Sequence, residues 1–217
     1  AKGLDIMTTC ATSHAIMCNT AEDMERDPVY ASTVNNLVAR TSKVEFGGES
    51  QSWHLLHYLV EEIGLDKVRD AVKNPLKMNI AAYYGPDMQR DGACAGDDPF
   101  MPTYMEQLIE ALGGHPVDYD SKCMSVGSTS MLTLEDSSLA MTAAVLSDAI
   151  QSGADLIVSA CTVSHINLDS YQSKAGRVSG KRTTVPVCHL AEVVAFALGF
   201  YPDRLAQLRT RVRLIGS

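Results

Sequence analysis

The sequence predicts an α/β protein built on a parallel sheet with crossover helices, and three observations predict it. From Lys77 onward, short apolar runs alternate with segments of helical period, the pattern of strands joined by crossovers on one sheet. One device, G-x-D followed by an apolar run and C-x-x-S-H, occurs twice, from Gly3 to His14 and from Gly153 to His165. The 217 residues, 46% hydrophobic and 20% charged, are enough for a sizeable core.

Taken in order, the apolar run after Gly3 reads as a strand ending at Cys10. The small polar stretch 41–52, with its glycine pair, is the best linker in the chain and places a domain boundary near residue 50. Ser52 to Gly64 reads as an amphipathic helix, with Trp53, Leu56, Leu59, Val60 and Ile63 on one face and Glu61 and Glu62 on the other. Residues 78–85 are a strand. Met105, Leu108, Ile109 and Leu112 mark a helix that Gly113 and Gly114 stop. Residues 116–119 are the next strand, and Leu139, Val145, Leu146, Ala149 and Ile150 line a helix ending at Gly153. Residues 155–160 read as a buried strand, 166–174 as a third crossover, 185–187 as a short strand and 189–200 as a final apolar helix.

The net charge of −8, from 18 basic and 26 acidic residues, argues against nucleic acid or an anionic membrane surface as partner. No stretch reaches the ~18 to 20 apolar residues of a membrane span, and no secretion signal opens the chain, so a cytoplasmic protein is expected. Ala1, Lys2 and Gly3 precede a strand directly, so the chain is expected to be the C-terminal piece of a longer unit, with a processed or redesigned terminus as the alternative. Six cysteines, at 10, 18, 94, 123, 161 and 188, are too dispersed for a small disulfide scaffold and point to core, metal or redox roles.

Ligands of open parallel sheets gather at the carboxyl ends of the strands. Those ends are followed here by Pro86, Cys123, Cys161 and Cys188, so three of the four are expected to bring a sulfur to one edge. Cys161 stands where a helix begins, and the helix end would lower its pKa, with Ser164 as hydrogen-bond donor. His14 and His165 each follow C-x-x-S and are candidate ligands or proton donors beside a sulfur site, or local caps. His54 and His57 either bind a metal or pack, and residues 92–99 lack the fingerprint of a phosphate loop.

Four stretches, "YYGPDMQRDG", "GDDPFMPTYMEQLIEALGGHPVDYDSKCM", "GADLIVSACTVSHINLDSYQ" and "VPVCHLAEVVAFALGF", resemble in order and wording the second cysteine-rich repeat of the heterodisulfide reductase B subunit and its relatives in sulfur oxidation. "GLDIMTTCATSH" resembles the last strand of that family's first repeat, and "HLLHYLVEEIGLDKVRDAVKNPL" the segment joining the repeats. The resemblance implies tandem pseudo-symmetric repeats, with residues 1–50 the tail of the first and its linker and 51–217 the whole second. It implies an oxidoreductase subunit in which a fused iron–sulfur cluster of 4Fe-4S type passes electrons to a small disulfide or thiol substrate. An iron–sulfur electron-donating subunit and a flavin subunit are the implied partners.

Each repeat of the family offers one Cys, a Cys-Cys pair and C-x-x-C as cluster ligands. Carried over, these positions give Cys10, Cys123 and Cys161 as cofactor-binding residues and metal ligands, with His14 and His165 beside them as catalytic candidates. The sequence departs from the pattern at Pro86, Met124, Ser13 and Ser164. Thiolates hold iron because they are soft anionic donors; Pro has no donor, Met is neutral and Ser ionises reluctantly. A cluster-free pseudo-enzyme or assembly subunit that keeps the fold and its partner surfaces is therefore the alternative reading.

Overall fold

The computed structural model describes residues 4–43, 46–47, 50–90 and 95–200. Cys94, the start of the chain at 1–3, part of the linker and the chain beyond residue 200 lie outside them. Strand β1 (Ile6–Thr8) leads into helices α1 (Ala11–Arg26) and α2 (Pro28–Ser42), and β2 (Ser52–His54) follows. Helix α3 (Leu55–His57) continues through a π-helical stretch, Tyr58–Gly64, into α4 (Leu65–Asp70). Then come β3 (Asn79–Tyr83), α5 (Tyr104–Ala111), β4 (His115–Val117), α6 (Glu135–Gln151) and β5 (Leu156–Ser159). Helices α7 (Thr162–Ser170) and α8 (Gln172–Ser179), β6 (Val187–His189) and α9 (Leu190–Ala197) complete the described chain.

The larger sheet has the order β4-β3-β5-β6, and every neighbouring pair is parallel. Parallel strands joined by helices must bury both faces, and the side chains divide with the period of two that a strand imposes. Ile80, Ala82 and Tyr84 enter one core with Leu108, Leu156, Val158 and Leu190, while Ala81 and Tyr83 enter the other with Tyr119, Leu146, Ile157 and Val187. Gly113 ends the turn after α5 at φ +82°, where a Cβ would stand 2.7 Å from Pro75 Cβ. The predicted parallel sheet and its crossovers are therefore present.

Three expectations need correction. Ser52, Trp53 and His54 are not the first turn of a helix: they pair in parallel with Ile6, Met7 and Thr8. The spacing of Trp53 to Leu56 imitates a helical period, but the His54 ring accepts a hydrogen bond from Leu56 N–H at 3.2 Å and so caps a helix that starts at Leu55, three residues later than expected. The third crossover begins directly after Cys161, earlier than residue 166, and takes two helices. Cys188 is a residue of β6 itself, buried in the core, and delivers no sulfur to the sheet edge.

The helical hairpin of α1 and α2 is a further element, beyond those expected from the sequence. Its break is written in Asp27-Pro28: the Asp27 carboxylate accepts from Val29 and Tyr30 N–H at 2.9 and 3.2 Å, and proline fits the first helical position.

Candidate active crevice

The two copies of C-x-x-S-H build the same local structure. Each cysteine is the extended residue that caps a helix, Cys10 before α1 and Cys161 before α7. One residue separates each from its strand, and a hydroxyl at the strand end accepts its N–H: Thr8 Oγ1 from Cys10 at 3.1 Å, Ser159 Oγ from Cys161 at 3.3 Å. Opposite those strand ends sit two histidines in equivalent register, His54 across from Thr8 and His189 across from Ser159. The ring of His14 lies 5.9 Å from that of His54, and the ring of His165 lies 5.7 Å from that of His189.

The correspondence crosses between the halves. His54 Nδ1 accepts from Leu56, so its Nε2 carries the proton and donates to the carbonyl of Ala160, the residue before Cys161, at 2.9 Å. His189 caps α9 in the same way, accepting from Ala191 N–H at 3.3 Å, and faces the backbone of Thr9, the residue before Cys10. Burial, with His57 and His14 behind it, lowers the pKa of His54 to about 3, and burial followed by His165 lowers that of His189.

Where the first turns of α1 and α7 meet, the two sulfurs have different surroundings. Burial alone pushes the Cys10 thiol up, but the N–H and hydroxyl of Ser13 and the N–H groups of Thr162 and Val163 outweigh it and hold the thiol below the usual cysteine range. These donors come from the first turns of both helices, where N–H groups lack helical partners. Cys161 is buried and lies 3.3 Å from Thr12 Oγ1. Thr12 donates to Asp87 Oδ2 at 2.5 Å, and the other Asp87 oxygen pairs with Arg90 at 3.0 Å.

Cys123 ends a short turn on the neighbouring loop, Asp120–Cys123. Burial pushes its thiol up to about 11, with Lys122 pulling the other way and Glu106 adding to the rise. Lys122 itself is held by Glu106 at 2.7 Å and by the Pro102 carbonyl at 3.0 Å. The Tyr83 hydroxyl donates to the Met124 carbonyl at 2.9 Å and is also hydrogen-bonded to Ser164, so it ties the Cys123 loop to α7.

The candidate residues thus divide. Cys10 and Cys161 are brought together by α1 and α7, and Cys123 stands on the loop that Tyr83 ties to α7. His14 is turned away: buried, 3.1 Å from Ser52 Oγ, it packs with His54 and with His57 at 5.6 Å. His165 packs on His189. Thr12, Asp87 and Tyr83 join the site without having stood out as candidates, although Thr12 lies inside the repeated device and Asp87 follows Pro86. The His-Leu dipeptides at 54 and 189 are a second, legible repeat.

The donors do not suit a fused iron–sulfur cluster. Of the positions that the resemblance assigns to ligands, Pro86, Met124 and Ser13 are exposed without a thiolate, and Ser164 is engaged by Tyr83. Among the described residues no three or more His, Cys, Asp or Glu side chains are arranged to hold a metal ion.

No family model matches the chain. It is 28% identical over 204 residues to the B subunit of ferredoxin:CoB-CoM heterodisulfide reductase from Methanosarcina mazei, covering 93% of this chain and 68% of that protein. It is 27% identical over 198 residues to the 8-methylmenaquinol:fumarate reductase membrane anchor subunit of Wolinella succinogenes, covering 90% of this chain and 68% of that one. Among the described residues no helix is long and apolar enough to cross a membrane. A crystal structure of a hypothetical protein from Helicobacter pylori shares the fold, with a TM-score of 0.65 at 13% identity; 88% of this chain matches about a third (34%) of that one. The comparisons bear out the resemblance read from the motifs: over nearly its whole length the chain is similar to the B subunit of heterodisulfide reductase.

Proposed function

We infer that the chain is an oxidoreductase subunit that handles a thiol or disulfide in the crevice between α1 and α7, with Cys10 as the reactive sulfur. One observation carries the reading: Cys10 is only partly buried, and the N–H groups of Ser13, Thr162 and Val163, from the first turns of two helices, lower its thiol. A thiolate is the nucleophile in thiol–disulfide exchange, and a thiol held below its usual pKa offers more of that form at neutral pH. The relatives named above are subunits of reductases, which supports partner subunits that bring or remove electrons. A cytoplasmic setting, with the iron–sulfur and flavin subunits of the resemblance as partners, accords with this reading.

In the first step the Cys10 thiolate attacks one sulfur of a bound disulfide; the S–S bond breaks, a mixed disulfide forms on Cys10, and the second sulfur leaves with the electron pair. Ser13, Thr162 and Val163 hold the thiolate in place before attack.

Thiol trapping with a small alkylating reagent, resolved by residue, tests the reading. Cys10 is expected to react at pH 6 to 7 at least about tenfold faster than Cys123, as the thiolate fractions require, and Cys10→Ser is expected to abolish mixed-disulfide formation. A chain in which Cys123 reacts first, or in which Cys10→Ser forms the mixed disulfide at the original rate, does not work this way.

The assembly-subunit reading keeps one specific observation in its favour. Met124, at a ligand position, is 56% exposed, and the large apolar side chains of Phe100 (89%) and Leu132 (97%) are more so. Full-length protein that shows no thiol exchange but copurifies with a stoichiometric partner would select it.

A further inference from the structure

A cavity of about 760 Å³ opens between helices α1 and α2, the paired strands β1 and β2 and the start of the π-helical stretch, and none of Cys10, Cys123 and Cys161 is among its described lining residues. That volume suits a small organic molecule. Its wall is mostly apolar, with Ile16 and Met17 from α1, Val34 and Val38 from α2, Trp53 from β2 and Phe46 from the linker. Val34 and Val38 are one helical turn apart on a helix that buries no residue in a core, so α2 gives its apolar face to this space instead. Phe46 is fixed beside it. The Asn35 side chain of α2 accepts from Phe46 N–H at 2.8 Å and donates to the Phe46 carbonyl at 3.4 Å.

The polar groups of the wall select what enters. No Lys or Arg is among the described lining residues, while Glu22 and Glu61 are, so a buried anion would find no counter-charge. Glu61 is already engaged, accepting from Gly96 N–H at 2.8 Å and from the Tyr104 hydroxyl at 3.1 Å, and Ser52 is engaged by His14 at 3.1 Å. His57 differs. Its ring is buried in the cavity wall, and its Nδ1 has no hydrogen-bond partner among the described residues. Burial, with His14 behind it, holds the pKa of His57 at about 4, so the ring is neutral near pH 7 and offers one donor and one acceptor. Directly after His57 the chain turns from α to π geometry, a rare form that is frequent at functional sites.

We propose that this cavity binds an uncharged, flat aromatic small molecule that carries a carbonyl or hydroxyl oxygen, with its rings against Trp53, Phe46 and the two α2 valines and its oxygen on the imidazole of His57. Aromatic walls favour a ring system, the missing cations exclude a carboxylate or phosphate, and the unmet imidazole calls for one hydrogen-bonding oxygen. The site is independent of the Cys10 chemistry and does not fall with it.

Trp53 is the only tryptophan of the chain, so its emission reports on this cavity. The test titrates the full chain with two uncharged dyes, propionyl-dimethylaminonaphthalene, an aromatic ketone, and dimethylaminonaphthalene, the same ring system without the ketone, and reads the quenching of Trp53. Saturable quenching by the ketone is expected. Val34→Phe and Val38→Phe fill the space and should weaken both dyes by about tenfold or more, since a filled site leaves no room for the rings. His57→Phe should weaken the ketone by about tenfold, the worth of one buried hydrogen bond, and leave the ketone-free dye unchanged. The ratio of the two affinities cancels any loss of folded protein. No saturable quenching, or quenching that both valine variants leave intact, would overturn the proposal. A His57→Phe ratio equal to that of the unmodified chain would remove the imidazole from the site and overturn it as well. Equally tight binding of anilinonaphthalene sulfonate, an anion of similar size, would mark the wall as unselectively apolar, against the proposal. Self-association at sedimentation equilibrium that Val38→Arg abolishes would assign the cavity to a second copy of the chain, also against it.

Discussion

The half of the molecule around Cys10 and the half around Cys161 share a strand, a hydroxyl cap, a helix-capping cysteine and a register-paired histidine, yet β1 has one partner strand and β5 has two. Ile6 and Met7 of β1 are each 50% exposed, whereas all four residues of β5 are buried. The same device therefore forms on a thin two-stranded sheet and on a fully covered four-stranded one. Its geometry comes from local caps and register, and its stability comes from whatever covers the sheet. The proposed nucleophile is in the thinly covered half, where a substrate can reach it, and the buried thiol is in the half that supplies the core.

Core truncation is the strongest way to break this comparison. Ile157 has no exposure and is packed among Ala81, Tyr83 and Leu146, so Ile157→Ala should cost about 2–5 kcal/mol. Ile6→Ala, on a half-exposed strand, should cost less than about 1 kcal/mol. Denaturant unfolding measures both. Equal costs would mean that β1 is as deeply covered in solution as β5, and the division of labour between the halves would fail.

Acid sharpens the comparison next. Burial lowers His54 to about 3 and, with His14 beside it, His57 to about 4, both far below the usual value near 6.5. The folded state keeps these rings neutral, so their stability is fully present above pH 6.5. It is lost as pH falls from there toward about 4 and then 3, because the unfolded chain takes up protons that the folded chain refuses. Each ring should contribute a slope of about 1.4 kcal/mol per pH unit in that window. Buried His57 Nδ1 has no hydrogen-bond partner among the described residues, so His57→Phe should flatten the dependence between pH 6.5 and 4 without loss at pH 7. An unchanged slope in unfolding free energy against pH would show that these rings are not where the acid sensitivity lies.

Much of this architecture is legible in the residues alone. The second half reads well because its strands are apolar runs bounded by glycine and its helices have clear periods, so element type, order and parallel pairing follow. The first half reads poorly for physical reasons. β2 is three residues long and amphipathic in a way that a helix could also be, and only its pairing with β1 decides. Helix α2 has Tyr30, Val34, Leu37 and Val38 at helical spacing but buries no residue, so its apolar face does not point to a core. At the site, the cysteines announce themselves by repetition. Thr12 and Asp87 are seventy-five positions apart and are chemically ordinary, and nothing short of the fold brings them together. Cys188 misleads because a short strand has an uncertain end: a shift of two residues moves a sulfur from the sheet edge to the core.

The smallest effect concerns the two strand-end hydroxyls, which do the same work at different depths. Ser159 Oγ accepts from Cys161 N–H and donates to the Cys161 carbonyl at 3.1 Å, and Ser159 is fully buried. Ser159→Ala leaves that N–H without water to replace the hydroxyl, and an unsatisfied buried donor costs about 1–3 kcal/mol. Thr8 Oγ1 accepts from Cys10 N–H at a site open enough for water, so Thr8→Ala should cost about 0.5 kcal/mol, the low end for a hydrogen bond that water can replace. Thermal or denaturant unfolding of the two variants side by side measures the difference. A Thr8→Ala cost as large as that of Ser159→Ala would mean that water does not reach the Cys10 cap, and with it that the sulfur proposed as nucleophile is closed to its substrate.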